Sequence, residues 1–467
     1  SSASAICHKI LIIAAMNSTP LRIQPRLNAE IPAALDPLPP VLARIYAARG
    51  VQHPDELELS LKQLLPAQDL LGLPAALDRL ERALDQQQQI LIVGDFDADG
   101  ATSTALMMLA LRDMAAQVDF LVPDRFKYGY GLTPKIAELA KQSYQPDVLI
   151  TVDNGISSHA GVETAQALGM QVIITDHHLT TKPTPNAEAV VNPNQLGCDF
   201  PSKALAGVGV AFYVLAKLAS YRTQQGKSST KVTQYLDLVA LGTYADVASL
   251  DYNNRILIDT GLKRIQQYQC RAGILALLDI AKRDAATLRA QDLGFVVGPR
   301  INAAGRMESM RIGIECLLAA NMAEAYPIAQ QLNQLNIERR QVETEMKQQA
   351  LNALQHIQLE TEHLPVALVM FDEQWHQGVI GIVAGRLKEQ FHRPSLVFAP
   401  DEDGIHIKGS ARSIEGIHIR DLIEQVAERY PHLVSHFGGH AAAAGLTLRK
   451  ENFDEFKTVF TQCIAEM

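Results

Sequence analysis

The stretch Gln89–Met108, which reads QILIVGDFDADGATSTALMM, constrains the fold of this chain more than any other part of its sequence. Its apolar run Ile90–Val93 is typical of a buried parallel strand, and the Ala-, Leu- and Met-rich residues after Gly100 predict a helix. Between the two lie the three aspartates Asp95, Asp97 and Asp99. A strand that turns into a helix places these side chains at the carboxyl edge of a sheet, where open α/β folds bind ligands.

Three carboxylates so close together repel one another and require positive charge between them. A divalent cation supplies that charge, and all-oxygen ligands favour magnesium or manganese. A solvated acidic loop has the same composition, so this stretch alone leaves both interpretations open.

Strand-like and helix-like runs alternate through the first half of the chain. The predicted strands are Ile90–Val93, Val118–Val122, Val148–Val152, Val172–Thr175 and Ala189–Val191. The predicted helices between them are Gly100–Ala116, Pro134–Lys141 and His159–Leu168. Strand–helix alternation with short links predicts an α/β fold with a mostly parallel, doubly wound sheet.

We predict four parts along the chain: an N-terminal extension and leader (1–40), a main α/β domain with a helical part (41–320), a linking helix (321–360) and a smaller α/β domain (361–467). Met322–Leu359 is rich in Gln, Glu, Leu and Ala, which predicts one long helix. We expect a cleft between the two domains. Residues 1–15 resemble a weak signal peptide, Met16 is the more natural start, and we expect these residues to lie outside the fold.

The bulk composition narrows the class of protein. A hydrophobic content of 47% and a charged content of 20% are those of a soluble globular protein, and no apolar run approaches membrane-spanning length. The net charge of −9 argues against a basic coat for nucleic acid, although not against a local basic groove. The five cysteines form no CxxC, which favours a reducing, cytoplasmic location over a disulfide framework or zinc site.

Two further strand ends carry polar side chains. The third strand ends in TVDNG, which contains Asp153, and the fourth ends in TDHH, which contains Asp176, His177 and His178. A later apolar helical stretch, LGTYADV, carries the single acid Asp246. Singly, Asp153 could cap a helix and His177 could be a core histidine. Three such strand ends in succession instead favour a binuclear site for manganese or a similar ion.

In this order, DFDADG, VDNG, TDHH and ADV resemble the motifs of the DHH phosphoesterase superfamily. Four later segments resemble one branch of it, the RecJ family of bacterial single-strand-specific exonucleases. These segments are GPRINAAGRM (Gly298–Met307), WHQGVIGIVAGRL (Trp375–Leu387), KGSARS (Lys408–Ser413) and HFGGHAAAAG (His436–Gly445). The resemblance runs from about Leu21 to the end of the chain, and it implies a DHH domain joined by a helix to a DHHA1 domain.

The resemblance also implies a set of site residues. Two ions, Mn²⁺ or Mg²⁺, would be held by Asp95, Asp97, Asp99, Asp153, His177 and Asp246. Asp153 would bridge the ions, His178 would lie beside the scissile phosphate, and Asp176 would orient the neighbouring histidines. Asp176, His177 and His178 form the catalytic set that the resemblance implies.

Several groups are candidates for binding substrate. Arg306 and Arg412, the latter near Ser410, could each form bidentate contacts to phosphate. Gly438-Gly439-His440 could present backbone N–H groups to an anion, with a helix expected after it, although a tight turn is the commoner meaning of Gly-Gly. The loop that contains Asp124-Arg125 and Lys127–Tyr130 offers charge and rings that could stack on bases.

By resemblance, the chain is expected to be a metal-dependent 5′→3′ exodeoxyribonuclease that releases 5′-mononucleotides in DNA recombination and repair. The expected partners are single-stranded DNA, a single-strand-binding protein and a RecQ-type helicase, with no association with a membrane.

Two alternatives stay open: a DHH phosphodiesterase for oligoribonucleotides or cyclic dinucleotides, and a non-catalytic repair scaffold. A dehydrogenase is disfavoured, because acids stand where GxGxxG would be. The family usually continues into an OB-fold, whereas this sequence stops at Met467, so either the sequence is truncated or the protein lacks that module. Without the module we expect a weaker, more salt-sensitive grip on DNA.

Overall fold

The computed structural model describes residues 30–123, 128–361 and 365–466. The leader predicted over residues 1–15 and the loop residues Asp124, Arg125 and Lys127 lie outside these ranges. The chain divides into two compact units, one of Leu59–Arg340 and one that combines the chain up to Glu58 with Gln341 onward. None of the described helices has both the length and the apolar character that a bilayer span requires.

The larger unit contains a parallel sheet. Its strands are β1 (Gln89–Gly94), β2 (Gln117–Leu121), β3 (Val148–Val152), β4 (Gln171–Thr175) and β5 (Ala189–Val191). They lie in the order β2-β1-β3-β4-β5, and every pair is parallel. The chain therefore reverses direction across the sheet between β1 and β3. The predicted doubly wound parallel sheet is confirmed, and this reversal is where such folds bind ligands.

The helices of the described chain are numbered in order. The first eight are α1 (Pro40–Ala47), α2 (Leu73–Asp85), α3 (Ala98–Asp113), α4 (Pro134–Tyr144), α5 (His159–Ala167), α6 (Gly207–Gln224), α7 (Leu236–Ala245) and α8 (Tyr252–Gln266). The others are α9 (Ala272–Ile280), α10 (Gly298–Met307), α11 (Met310–Leu318), α12 (Met322–Thr361), α13 (Ile380–Phe391), α14 (Ile419–Arg429) and α15 (Phe453–Ala465). The long helix predicted from Met322 is confirmed as α12.

Short helical turns connect several of these elements. They are Ala33–Leu35, Pro54–Leu57, Leu61–Gln63, Ala67–Asp69, Val232–Tyr235, Ala285–Thr287, Ala290–Asp292 and Lys450–Asn452, with a π-helical turn at Leu293–Val297.

The apolar run of β1 shows why the sheet is covered on both faces. Ile90 and Ile92 belong to a cluster that includes α3, whereas Leu91 and Val93 belong to a second cluster that includes α4. Successive side chains of a strand point to opposite faces, so a continuous apolar run can fill two cores at once. These two cores hold the carboxyl end of β1 rigidly in place.

Helix α3 begins earlier than the sequence predicted. We expected it to start at Gly100, but it starts at Ala98, because the Asp97 side chain caps it by accepting a hydrogen bond from the Gly100 backbone N–H (2.9 Å). Gly100 therefore lies inside the helix. A Cβ at that position would lie 2.7 Å from the Asp95 Cβ, which only glycine avoids. Asp99 thus projects from the first turn of a helix.

The smaller unit contains a mixed sheet. Its strands are β6 (Leu368–Phe371), β7 (Ser395–Pro400), β8 (His406–Arg412), β9 (His436–Gly439) and β10 (Ala443–Arg449). They lie in the order β6-β7-β8-β10-β9, with only β6 and β7 parallel. The predicted α/β character of this domain is confirmed.

The prediction of a helix after Gly439 is wrong. The chain instead forms the β9–β10 hairpin, in which the His440 backbone N–H donates to the Ala443 oxygen (2.8 Å). Alanine is compatible with a helix and with a strand, but Ala444, Leu446 and Leu448 are buried at alternate positions. That period of two matches a strand with one covered face.

Candidate active site

Three strand ends deliver polar side chains to one edge of the parallel sheet. Strands β1, β3 and β4 are neighbours, and each ends in residues of the sequence-predicted site. Three groups have ligand atoms within 4.8 Å of one another: Asp95, Asp97 and Asp153; Asp99, His177 and Asp246; and Asp153, His177 and His178. The structure therefore brings together all six predicted metal ligands, and Asp153 and His177 each belong to two groups.

Asp153 has the most constrained backbone of these residues. Its φ of +61° lies in the left-handed region, which non-glycine residues seldom adopt, and its side chain is 2% exposed. Its Oδ1 lies 3.0 Å from Nε2 of His177, while no described residue donates a well-aligned hydrogen bond to that atom. A strained backbone that aims an underused buried carboxylate oxygen into a cluster of acids is typical of a functional site.

The amino end of helix α6 holds Asp99. The backbone N–H groups of Gly207 and Val208 donate to its two carboxylate oxygens at 2.6 and 2.9 Å, and His177 Nε2 lies 3.7 Å from Oδ2. The partial positive charge of the helix end stabilises an ionised carboxylate there. These two hydrogen bonds fix the Asp99 carboxylate, which also belongs to the ligand group with His177 and Asp246.

The acidic groups in this cluster outnumber the two histidines that could offset their negative charge. Burial, and then the charges of Asp99, Asp97 and Asp95, raise the pKa of Asp153 well above the ordinary range of an aspartate. Burial, and then the charges of Asp99 and Asp97, raise the pKa of Asp246 to about 8. Buried like charges favour a bound proton or a bound cation. The donor set of carboxylates with one or two imidazoles therefore fits divalent ions such as Mn²⁺ or Mg²⁺.

Asp176 occupies a different position. Its Oδ1 accepts from the His178 ring Nδ1 (2.7 Å) and from the His177 backbone N–H (2.7 Å), and its Oδ2 accepts from the Ile156 backbone N–H (2.9 Å). Although burial alone would raise the pKa of Asp176, the hydrogen bonds with His178 and the backbone lower it. Asp176 therefore remains ionised and fixes the orientation of the His178 ring.

His178 has an elevated proton affinity. Burial disfavours its charged form, but the hydrogen bond to Asp176 and the neighbouring carboxylates outweigh burial and raise the pKa of His178 to about 9. The Tyr130 hydroxyl lies 3.3 Å from Nε2 of His178, and the two rings meet edge to face. Tyr130 belongs to the loop from which the sequence predicted rings near this edge.

Some residues that support the site were not predicted from the sequence. The Asn302 Oδ1 accepts from the Ala98 backbone N–H (2.8 Å), and so joins α10 to the first turn of α3. The Asn154 amide donates to the carbonyls of Val93 and Val152, and so ties the ends of β1 and β3 together. Asn302 lies within the GPRINAAGRM motif, so the motif points to this residue. Its contact with Ala98 could not be predicted, because the two residues are far apart in the sequence.

Three glycines allow backbones to approach the acidic cluster. A Cβ at Gly305 would lie 2.0 Å from the Phe96 oxygen, one at Gly242 would lie 2.2 Å from Thr102 Oγ1, and one at Gly207 would lie 2.7 Å from the Asp153 Cβ. No side chain fits at such distances. Helices α6, α7 and α10 can therefore press directly on the carboxylate-bearing segments.

Gly207→Ala tests this close approach. We expect the added methyl group to displace Asp153 or α6 and to weaken Mn²⁺ binding about 10- to 100-fold in calorimetric titration, since loss of the groups that support metal ligands has effects of that size. Gly209→Ala, two residues along the same helix, is the matched control, because its methyl group would meet only a flexible Leu205 side chain. Equal Mn²⁺ affinities for the two variants would contradict this account.

Of the predicted substrate-binding residues, Arg306 lies in α10 and Arg412 and Ser410 lie on β8. The Arg412 Nη1 donates to Ser410 Oγ and to the Ala411 oxygen, both at 2.9 Å. Burial lowers the pKa of Arg412, and no carboxylate among the described residues pairs with it. Its Nη2 lies 2.9 Å from the place that a Cβ on Gly381 would occupy, beside the amino end of α13. A partly buried cation at a helix amino end fits an anion.

The segment Gly438-Gly439-His440 is exposed and forms the end of β9 and the hairpin turn. A φ of +144° at Gly439 allows the turn, which matches the commoner meaning of Gly-Gly. Ala443, which closes the turn, pairs with Arg412 across the β10–β8 ladder. The structure therefore places these three residues at the same end of the sheet as Arg412.

Comparisons with known proteins agree with this geometry. The N-terminal domain of the DHH family matches residues 89–243, and the DHHA1 domain matches residues 364–466. The chain is 50% identical to the single-stranded-DNA-specific exonuclease RecJ of Dickeya dadantii, over 96% of this chain and 78% of that protein.

Solved structures of RecJ from Thermus thermophilus resemble the whole fold. The complex with Mn²⁺ has a TM-score of 0.78 and 32% identity, over 96% of this chain and 62% of that one. The complex with Mg²⁺ has a TM-score of 0.72 and 31% identity, over 96% of this chain and 60% of that one. With the shared domains and the convergent acidic cluster, these similarities show that the chain belongs to the RecJ family of single-stranded-DNA-specific exonucleases.

Proposed function

We propose that this chain is a 5′→3′ exonuclease for single-stranded DNA that hydrolyses phosphodiester bonds with two divalent cations and releases 5′-mononucleotides. The observation that carries the proposal is the convergence of five aspartates and two histidines within three overlapping ligand groups. Family membership supports single-stranded DNA as the substrate class. Both Mn²⁺ and Mg²⁺ are candidates, since relatives have been solved with each.

The overlap of the ligand groups supports a count of two ions. Asp95 and Asp97 would hold one ion, Asp99, His177 and Asp246 would hold the other, and Asp153 would bridge them. Bound there, two cations would supply an activated water and neutralise charge on the attacking and leaving oxygens. The residues themselves provide a rigid cradle, because Asp99 is held by α6 and Asp97 caps α3.

His178 is proposed to bind the reacting phosphate. With a pKa of about 9, its ring is protonated at neutral pH in the metal-free protein, and a bound phosphate oxygen is a suitable acceptor for its proton. Asp176 holds Nδ1 of the ring, and a phosphate oxygen would take the place of the Tyr130 hydroxyl, 3.3 Å away, at Nε2. Since 37% of the His178 side chain is exposed, a substrate can reach it.

Arg412 and Ser410 are proposed to bind a phosphate of the strand, and Arg306 another. Arg412 has a partly buried guanidinium with no carboxylate partner among the described residues, and Ser410 accepts one of its N–H groups. A phosphate would compensate this charge in bidentate geometry. The exposed Gly438, Gly439 and His440 at the same end of the sheet are proposed to contribute N–H donors.

Arg412→Ala is expected to raise the apparent Kd for a single strand and to lower the slope of log K against log salt by about 0.7, the value for one lost phosphate contact. Fluorescence anisotropy at several salt concentrations in EDTA measures both quantities. Arg386→Ala is the matched control, since Arg386 lies on α13 and already pairs with Glu343 and Glu389. Equal salt slopes for the Arg412 variant and the control would remove Arg412 from the phosphate site.

The proposed function is tested with a single strand that is labelled at either end and incubated with Mn²⁺, Mg²⁺ or EDTA. We expect metal-dependent release of mononucleotides from the 5′ end, with a duplex of the same sequence spared. Release from the 3′ end would contradict the direction. Faster hydrolysis of a dinucleotide than of the strand would instead support a small-nucleotide phosphodiesterase.

Roles in recombination and repair, a cytoplasmic location, and a single-strand-binding protein and RecQ-type helicase as partners are also proposed, by resemblance to the family. The free thiols of Cys198, Cys270, Cys316 and Cys463 support a reducing compartment. Co-purification from cytoplasmic extract with and without single-stranded DNA tests the partners.

A further inference from the structure

His177 and His178 lie in a loop that follows β4. Within the described chain, residues 176–188 between β4 and β5 form neither a helix nor a strand. Such a loop has no ladder of backbone hydrogen bonds to fix it, whereas a catalytic site needs its groups held to within about 0.5 Å. Other groups must therefore hold the two histidines.

Side chains bind the backbone polar groups of both residues. The His177 and His178 N–H groups donate to Asp176 Oδ1, at 2.7 and 3.2 Å. The His177 oxygen accepts a hydrogen bond from Asn194 Nδ2 (2.6 Å). The His178 oxygen accepts one from Asn192 Nδ2 (3.0 Å). Each histidine is therefore held at its N–H group and at its carbonyl group.

Two further contacts fix which end of each asparagine amide faces its histidine. The Asn192 Oδ1 accepts from the Asn194 backbone N–H (2.7 Å), so Nδ2 is the end that faces His178. The Asn194 Nδ2 also donates to the Lys203 oxygen (3.2 Å), and only the NH₂ end of an amide can donate to two carbonyls. Aspartate has nearly the same shape, but its carboxylate would repel these carbonyl oxygens.

The bonds of Asn194 connect two ligands of one proposed ion. Its Nδ2 joins the carbonyl of His177 to that of Lys203. Shortly after Lys203 in the chain, the Gly207 N–H donates to Asp99 Oδ2 (2.6 Å). His177 Nε2 lies 3.7 Å from that same oxygen. The Asn194 side chain therefore helps to set the distance between His177 and Asp99.

We infer that both asparagines are positioning residues: Asn194 holds His177 in place as a metal ligand, and Asn192 holds His178 in place beside the phosphate. This inference rests on the proposed function and adds to it the groups that keep two adjacent histidines in different roles. The centroids of the two rings are 4.7 Å apart, so a small rotation of the loop would displace both rings. A carbonyl that is held by an amide resists that rotation.

Asn194→Ala is expected to weaken Mn²⁺ binding about 10- to 100-fold in calorimetric titration, the range for loss of a group that supports a metal ligand. Saturating Mn²⁺ should restore most of its activity. Gln195→Ala is the matched control. Gln195 is buried and donates to the Val190 oxygen (2.8 Å) and the Leu71 oxygen (3.2 Å), with no described bond to either histidine. It holds the same segment, so a merely structural role would weaken Mn²⁺ binding equally in both variants.

Asn192→Ala is expected to lower kcat/KM on a single strand about 10-fold or more, and saturating Mn²⁺ should not restore it, because His178 is proposed to bind phosphate. A double-mutant cycle tests whether Asn192 acts through His178. In a His178→Ala background, Asn192→Ala should change kcat/KM by less than about twofold. An equally large loss in both backgrounds overturns the role of Asn192. Since Asn192 is buried, Asn192→Ser takes its place in the cycle if Asn192→Ala does not fold.

Calorimetry requires no turnover and so separates this inference from the proposed function. Equal Mn²⁺ affinities for Asn194→Ala and Gln195→Ala overturn the role of Asn194, even if the wild type is an exonuclease. A weaker affinity in Asn194→Ala alone supports that role, even if the wild type prefers a small nucleotide to a strand. Absence of Mn²⁺ binding by the wild type overturns the two-ion proposal and this inference together.

Discussion

Replacing Asp153 with asparagine is expected to reduce kcat/KM on single-stranded DNA by about 10³-fold or more while the fold persists. Asp153 belongs to the ligand group of Asp95 and Asp97, and its Oδ1 lies 3.0 Å from Nε2 of His177, which belongs to the group with Asp99 and Asp246. Its loss should therefore affect both proposed ions, and the electrostatic stabilisation that such a site supplies is of that order. Asparagine tolerates the left-handed backbone at this position better than alanine does. The variant should therefore keep its structure.

Two measurements separate loss of chemistry from loss of fold. In EDTA the melting temperature of Asp153→Asn should equal or exceed that of the wild type, because a buried carboxylate surrounded by like charges has been neutralised. Asp147→Asn is the matched control: Asp147 precedes β3 and accepts from the Gln89 backbone N–H at the opposite edge of the sheet. It should retain activity within about twofold. More than a tenth of wild-type activity in Asp153→Asn would contradict the two-ion proposal.

Removal of divalent cations is expected to destabilise the protein at pH 8 far more than at pH 5. The folded-state pKa of Asp246 is about 8, against about 3.9 for an unfolded aspartate, and the pKa values of Asp99 and Asp153 are also raised. Between these values the folded state binds more protons than the unfolded chain. The free energy of unfolding of the metal-free protein therefore falls as the pH rises through this window.

A bound cation replaces the lost protons. Thermal unfolding in EDTA and in MnCl₂ measures the effect, and we expect Mn²⁺ to raise the melting temperature by about 5–10 °C at pH 8, which corresponds to a few kcal/mol for a unit of this size. The increase at pH 5 should be much smaller. Asp246→Asn in EDTA should melt higher than the wild type at pH 8 and show a weaker pH dependence. A melting temperature in EDTA that stays constant from pH 5 to pH 8 would contradict the assignment of uncompensated acids.

The parallel sheet was predictable because its signals are local. Strand β1 is a continuous apolar run because both of its faces are covered. Alternate side chains of a strand point to opposite faces, so the sequence alone assigns the residues of this run to two cores. The β9–β10 hairpin was missed because the alanines of HFGGHAAAAG suit a helix as well as a strand. Only the pairing of β10 with β8 and β9 distinguishes the two.

The acids and histidines that follow β1, β3 and β4 could be predicted to meet, because parallel strands bring their carboxyl ends to one edge and these residues follow the apolar runs directly. Asp246 follows the helix α7 instead, so only the family resemblance assigned it to the same site. How these side chains are held depends on contacts that are distant in the sequence. Asp99 is bonded by the backbone of Gly207, 108 residues away, and Ala98 by the side chain of Asn302, 204 residues away. Contacts over such separations depend on the packing of whole helices, which no local pattern of residues encodes.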